Sequence, residues 1–228
     1  MVEPWAAMAP LADGRHGAVC WQSRRTGSLR IFCCDLDGQN LRQVSPDVSG
    51  RDHLAPLISP DGTRVLYYDT IFLTDANYYA DHSGNMMVVD IDDTDGSSAL
   101  ELVSGVRTYF ECRFARWIDN DRIAYIGTDH DGYEYSISQD QSTRMFDYPV
   151  YDFGAIPNRQ YTHAIDGKNR VFTIHNPGPS GTLTEEQDYD GCEGNMSWDG
   201  LWAYRVKGGW PGHDFYRMRL GSWEEEMF

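Results

Sequence analysis

His53, Glu111, Gln160, His163 and Glu193 are the residues of this chain whose types and spacing could do chemistry. Each stands shortly before an aspartate that opens a recurring turn, at Asp61, Asp119, Asp166 or Asp199. Stepping back about eight residues from each turn aspartate, Asp13 included, lands on Trp5, His53, Glu111, Asn158 and Gly191. Arg51, Asp52, Arg159, Gln160, Cys192 and Glu193 lie beside them. Polar groups at equivalent positions of a repeat converge in space, so the ligand-binding candidates are Arg51, His53, Glu111, Arg159, Gln160, His163 and Glu193. His53, Gln160 and His163 are the metal candidates, for a divalent cation such as calcium or manganese. His53, Glu111 and Glu193 are the catalytic candidates, the two glutamates as a carboxylate pair at a glycosidic bond.

A second set of candidates lies in loops. Tyr78, Tyr79, Asp81 and His82 sit in an insertion over residues 69–85, and Trp210 to His213 form a Trp-Pro-Gly-His stretch. Aromatic, polar loops suit protein or sugar contact. The Asp-rich runs DLDG (35–38) and DIDDTDG (90–96) lack the ligand spacing of a calcium loop, so they read as hairpin turns. No Gly-x-Ser-x-Gly elbow is present. A net charge of −16 excludes the basic face that nucleic-acid binding needs. No apolar run reaches the length of a transmembrane helix, so none is expected, and the N-terminal residues MVEPWAAMAP show no signal-peptide pattern. The chain therefore reads as soluble: cytoplasmic, or periplasmic or extracellular if a leader has been removed. Five cysteines, with no CxxC pair, read as buried free thiols. Cys33 and Cys34 point to opposite faces of a strand.

The elements that would position these residues are short strands in a repeat. LADGRHGAVCWQ (11–22), LISPDGTRVLYYDT (57–70), WIDNDRIAYI (117–126), IDGKNRVFTI (165–174) and SWDGLWAYRV (197–206) each read as strand, tight turn, strand. At 120 an Asn replaces the Gly, as a residue that tolerates positive φ. IFCCDLDG (31–38) and MMVVDIDDTDG (86–96) are matching third strands, each followed by a Leu-containing fourth, LRQVS or LELVS. Four strands per repeat of about 40–50 residues is the pattern of β-propeller blades. The fold class is therefore all-β, a propeller of about five four-stranded blades or a fragment of a six- to eight-bladed ring. The approximate blades are 1–48, 49–105, 106–150, 151–190 and 191–228 of a single domain spanning 1–228. The pairs Tyr67–Tyr68, Trp202–Tyr204 and Phe215–Tyr216 read as packing between blades. Residues 177–191 show no clear third strand and read as a short blade or a surface loop.

The motif SPDG, an apolar strand, then an apolar strand ending D-x-D-G-x-N-L, resembles the TolB-like propeller repeat. That repeat is shared with the propellers of prolyl-oligopeptidase relatives and with oligogalacturonate lyase. The resemblance implies that the first strand of each blade lines a central channel whose mouth meets ligands. Similarity to the lyase family implies a metal held by several His and a Gln, and elimination across a uronate glycosidic bond. His53, Gln160 and His163 are the matching residues here. Two functions follow as expectations. One is a module that binds a protein or glycan through its channel mouth and loops, without catalysis. The other is a polysaccharide lyase or glycoside hydrolase with a metal or carboxylate site in the channel.

Overall fold

The computed structural model describes residues 17–77, 80, 82–108, 115–146, 150–155, 161–166, 171–175, 182–187, 194–197, 201–207, 214–219, 222 and 224–227. Every regular element among them is a β-strand. Strands β1 (Ala18–Ser23), β2 (Arg30–Asp35) and β3 (Arg42–Gln43) form the first antiparallel sheet, in chain order. Strands β4 (Arg51–Ile58), β5 (Arg64–Ile71), β6 (His82–Asp90) and β7 (Leu100–Thr108) form the second. The third holds β8 (Ala115–Trp117), β9 (Arg122–Ile126), β10 (Gly132–Ser136) and β11 (Gln141–Phe146). The fourth holds β12 (Val150–Ala155), β13 (Tyr161–Asp166), β14 (Val171–His175) and β15 (Thr182–Gln187). The fifth holds β16 (Gly194–Met196), β17 (Trp202–Lys207), β18 (Asp214–Arg219) and β19 (Glu225–Met227). The chain divides into two compact units, residues 1–110 and 111–228.

Within the first unit the two sheets pack face to face. Ile31, Cys33 and Val44 of the first sheet meet Val65, Tyr67, Val89 and Ile91 of the second in one apolar cluster. Val65, Leu66, Tyr67 and Tyr68 are all buried, so β5 is covered on both faces, which explains its continuous apolar run. Within the second unit β12 lies against β8 on one side and β16 on the other. First strands of successive sheets therefore adjoin one another there, the arrangement blades require.

Two of the repeated turns are built by the same atoms. The Ser59 N–H donates to the Arg64 carbonyl at 2.8 Å, and the Ser59 hydroxyl accepts from the Arg64 N–H at 3.0 Å. Ser197 does the same with Trp202, at 2.9 Å. Asp61 Oδ1 accepts from the Thr63 N–H and from the Ser59 and Thr63 hydroxyls, and Gly62 takes φ +71°. The third sheet departs from the expected geometry. Asn120 does not take positive φ. Instead Asp119 Oδ1 accepts the N–H groups of Asp121 and Arg122 at 2.9 and 2.8 Å, a side-chain turn that needs no left-handed residue.

Other expectations are corrected by the strand order. Residues 182–187 are a strand, β15, the fourth of its sheet, not a loop. The Asp166 turn joins the second and third strands of its sheet, whereas the Asp61, Asp119 and Asp199 turns join first and second. Stepping back from Asp166 therefore does not reach the first strand there, which is β12. In the second sheet β5 and β6 extend into the supposed insertion, leaving only 72–81 as connection. Cys20 and Cys33 are not free thiols: they are directly opposed on β1 and β2, Cα atoms 4.3 Å apart, and are joined as a disulfide. The short Cα separation is that of an antiparallel pair that exchanges no backbone bonds, where side chains approach most closely. Cys34, on the other face of β2, is free. Phe215 is 56 % exposed, so it does not take part in packing as its partner Tyr216 partly does.

Candidate functional site

Strands of a meander alternate in direction, so the connections of the first unit leave at two ends. Turns 36–41, 59–63 and 91–99 lie at one end, and segments 24–29, 44–50 and 72–81 at the other. Contacts confirm the grouping: Arg42 Nε donates to the Ile91 carbonyl at 2.8 Å at the first end, and Arg24 donates to the Leu73 carbonyl at 2.8 Å at the second.

The first end is acidic, and its carboxylates are occupied in making turns. Asp93 accepts from the N–H groups of Asp95, Gly96 and Ser98 and from the Ser98 hydroxyl. Burial pushes its carboxyl up, and these hydrogen bonds together overcome that to hold it far below the usual carboxylate range. The Asp61 carboxyl is lowered in the same way, its Ser59 and Thr63 bonds outweighing desolvation. The DIDDTDG and DLDG runs are turn scaffolding.

The second end carries a different chemistry. Asp52 is fully buried and accepts from the Leu29 N–H at 2.7 Å, the Leu73 N–H at 2.9 Å and the Arg24 guanidinium at 3.0 Å. It thereby ties the β1–β2 turn to the β5–β6 connection. Beside it, the Arg51 guanidinium grips Asp69 with Nε and Nη2, both at 2.9 Å. His53 lies directly across from Asp69 on β4, its Nε2 3.5 Å from the same carboxylate. Burial pushes the Asp69 carboxyl up, but hydrogen bonds from His53 and Arg51 and the Arg51 charge bring it below its ordinary value. His53 is 1 % exposed, its ring centroid 5.1 Å from that of Tyr67. Its Nδ1 and the Tyr67 hydroxyl are both buried with no hydrogen-bond partner among the described residues. Burial, with Asp69 nearby, pushes the Tyr67 phenol well above its usual range. Arg30, also buried, holds Asp47 at 2.8 Å and the carbonyls of Leu29, Val48 and Arg51.

The outer layer of this end combines guanidinium and apolar groups. The Arg24 guanidinium lies over the Phe72 ring, 5.1 Å from its centroid. Arg25 lies over both Phe32 and Trp21, at 4.7 and 5.5 Å. Arg24, Arg30 and Arg51 each face a carboxylate, whereas Arg25 has none among the described residues.

The structure thus brings Arg51, Asp52 and His53 together, but as a buried network beneath the surface of this end. His82 is half-buried at the start of β6, its Nε2 2.8 Å from the Asn77 carbonyl, in the same connection. The backbone of His163 lies on β13, opposite Thr173 of β14 and Gly154 of β12. Trp5, Tyr78, Tyr79, Asp81, Glu111, Asn158, Arg159, Gln160, Gly191, Cys192, Glu193, Trp210 and His213 lie outside the described residues. Among the described residues no three His, Cys, Asp or Glu groups converge as a metal-binding set. No helix among them is long and apolar enough to cross a membrane. Sequence reasoning passed over Arg24, Arg25 and Phe72. The available signal was an Arg-Arg pair in a hairpin turn flanked by Trp21 and Phe32.

No protein-family model matches the chain. No curated protein matches it at a significant level either. Solved structures do. TolB from Acinetobacter baumannii superposes with a TM-score of 0.67 at 13 % identity, over 92 % of this chain and 52 % of that one. An oligogalacturonate lyase in complex with manganese superposes at 0.60 and 8 % identity, over 92 % and 73 %. A chain of a nidogen/laminin complex superposes at 0.60 and 12 % identity, over 92 % and 75 %. The chain spans about half the length of the TolB it matches. At these identities the likeness is one of fold. That fold, with its all-strand elements and antiparallel sheets, is the TolB-like β-propeller.

Proposed function

We propose that the chain is a recognition module that binds a protein or glycan ligand through the Arg24, Arg25 and Phe72 end of its first unit, without catalysis. The observation that carries this reading is the difference between the two ends of that unit. At one, the carboxylates are occupied in turns; at the other, Arg24 lies over the exposed Phe72 ring and is tied to the buried Asp52, and the exposed Arg25 lies over Trp21 and the buried Phe32. Arg and aromatic side chains in fixed positions are what recognition surfaces are enriched in. The buried pairing of Arg24 with Asp52 also limits the entropy lost on binding. Fold alone does not specify activity, so the support rests on this surface.

The test is a binding screen of the purified full chain against immobilised peptides and oligosaccharides, run beside metal analysis and an assay for cleavage of anionic polysaccharides. Retention of a ligand without turnover, weakened by Phe72→Ala, is the expected result. Stoichiometric metal with turnover that His53→Ala abolishes would replace this reading with the lyase.

A further inference from the structure

Successive sheets of a repeat meet through fixed faces, and the first unit shows which residues make them. Val65, Tyr67, Met87 and Val89 of the second sheet pack on Cys20, Ile31 and Cys33 of the first. The two sheets share one backbone frame: the Leu36 N–H donates to the Gly17 carbonyl as the Ile91 N–H donates to the Thr63 carbonyl, both at 2.9 Å. That match sets the cross-strand pairs Val19–Cys34 and Trp21–Phe32 on the pairs Val65–Val89 and Tyr67–Met87. On the side turned away from the second sheet, the first therefore carries the kind of face that the second turns toward it. In the second sheet Val65 and Tyr67 are fully covered. In the first, Val19 is 45 % exposed, and Trp21 and Cys34 are half-buried.

The fifth sheet carries the counterpart. The Ser197 N–H donates to the Trp202 carbonyl as the Ser59 N–H donates to the Arg64 carbonyl, both at 2.8 Å. Trp202 pairs with Arg219 as Arg64 pairs with Asp90. Ala203 and Met218 then hold the positions of Val65 and Val89, and like them are buried. On the opposite face Tyr204, Phe215 and Arg217 hold the positions of Leu66, Met86 and Val88, and so of Cys20, Ile31 and Cys33 in the first sheet. Ile31 is fully buried against the second sheet, whereas Phe215 is 56 % exposed.

One chain thus presents an open face of each kind, and exposed apolar faces mark interaction sites. We infer that the chain associates with a second copy of itself head to tail. Tyr204 and Phe215 of the fifth sheet in one copy pack on the Val19, Trp21 and Cys34 face of the first sheet in the next, as the first sheet packs on the second within a chain. The charged groups on these faces lie over aromatic rings: Arg25 over Trp21 and Phe32, and Arg217 over Trp202, where it is also paired with Glu226. The apolar contact is left to Val19, Tyr204 and Phe215. A heterologous contact of this kind adds copies until they close a ring. Neither Arg24 nor Phe72 belongs to either face, so self-association and the recognition reading stand or fall separately.

The test is sedimentation velocity of the full chain from micromolar to millimolar concentration. Mass is expected to rise in multiples of 26.0 kDa. Val19→Asp and Phe215→Asp should each weaken association at least about tenfold, because each places a charge in the apolar contact. Both positions are exposed, and thermal melting verifies that the variants are folded. Mixed together, the two variants should form a one-to-one pair that grows no further, since each keeps the face the other has lost. A chain that stays monomeric throughout overturns the inference, as does association indifferent to both substitutions or a mixture that fails to pair. A monomer in which Val19→Cys and Phe215→Cys, combined with Cys34→Ser, cross-link within one chain would replace self-association with closure of the chain on itself.

Discussion

At the scale of single residues, Asp52 and Arg25 mark opposite extremes. Asp52 is a buried charge whose bonds come from two backbone N–H groups and one guanidinium. Asp52→Ala leaves the Arg24 charge and two N–H groups without an acceptor, and is expected to cost about 3–5 kcal/mol in urea denaturation. Arg25→Ala breaks no ion pair among the described residues but uncovers the buried Phe32 ring, and should cost no more than about 1 kcal/mol while weakening binding. Asp69 makes a pH prediction. Its carboxyl lies below its ordinary value in the folded protein, so its pairing stabilises the fold above that value. The contribution is lost as the pH falls from the ordinary value of 3.8 through the lower folded one. Asp69→Asn should lose stability at neutral pH and show a shallower acid limb in thermal melts taken from pH 7 downward. His53 shows how far the sequence reaches at this scale. Its offset from Asp61 placed it on the first strand of its sheet, where the structure has it. Its depth was not legible, because depth depends on the neighbouring sheet: the His53 N–H donates to the Leu29 carbonyl, and its ring packs on Tyr67.

At the scale of elements, tight turns were the most legible part of the chain. Pro60-Asp61-Gly62 requires one left-handed residue and a side-chain acceptor, and both are local. Gly62→Ala places a Cβ at φ +71°, in open space, so the cost is backbone strain alone, about 1 kcal/mol in chemical denaturation. The Asp119 turn was legible as a turn but not in its mechanism, since an Asp side chain can supply what a Gly backbone would. Asp166 misled because Asp-Gly suits any hairpin, and nothing in five residues says whether it joins first and second strands or second and third. The disulfide was hidden for a related reason. Cys20 and Cys33 meet only because the register of β1 on β2 sets them opposite, a pairing that the cysteine count does not contain. Without reductant, alkylation should label Cys34 and spare Cys20 and Cys33. A loop closed across a separation of 13 residues is worth about 3 kcal/mol, so reduction should lower the melting temperature of the unit it staples.

At the scale of the whole molecule, the repeat and its turns made the propeller class legible before any coordinates, because a blade cannot bury its faces alone and must recur. The proposed recognition surface was less legible. It is assembled from the 24–29, 44–50 and 72–81 segments, brought together by strand direction and by Asp52 rather than by any motif. Net charge set only what the surface would repel. The central claim, that ligands meet the Arg24, Arg25 and Phe72 end of the first unit, is most directly tested by hydrogen–deuterium exchange of the full chain with and without the strongest binder from the peptide and oligosaccharide screen. Slowed exchange in 24–29, 48–51 and 71–77, with turns 59–63 and 91–99 unchanged, is the predicted result. Protection confined to those Asp turns, or to residues 111–228, would contradict it.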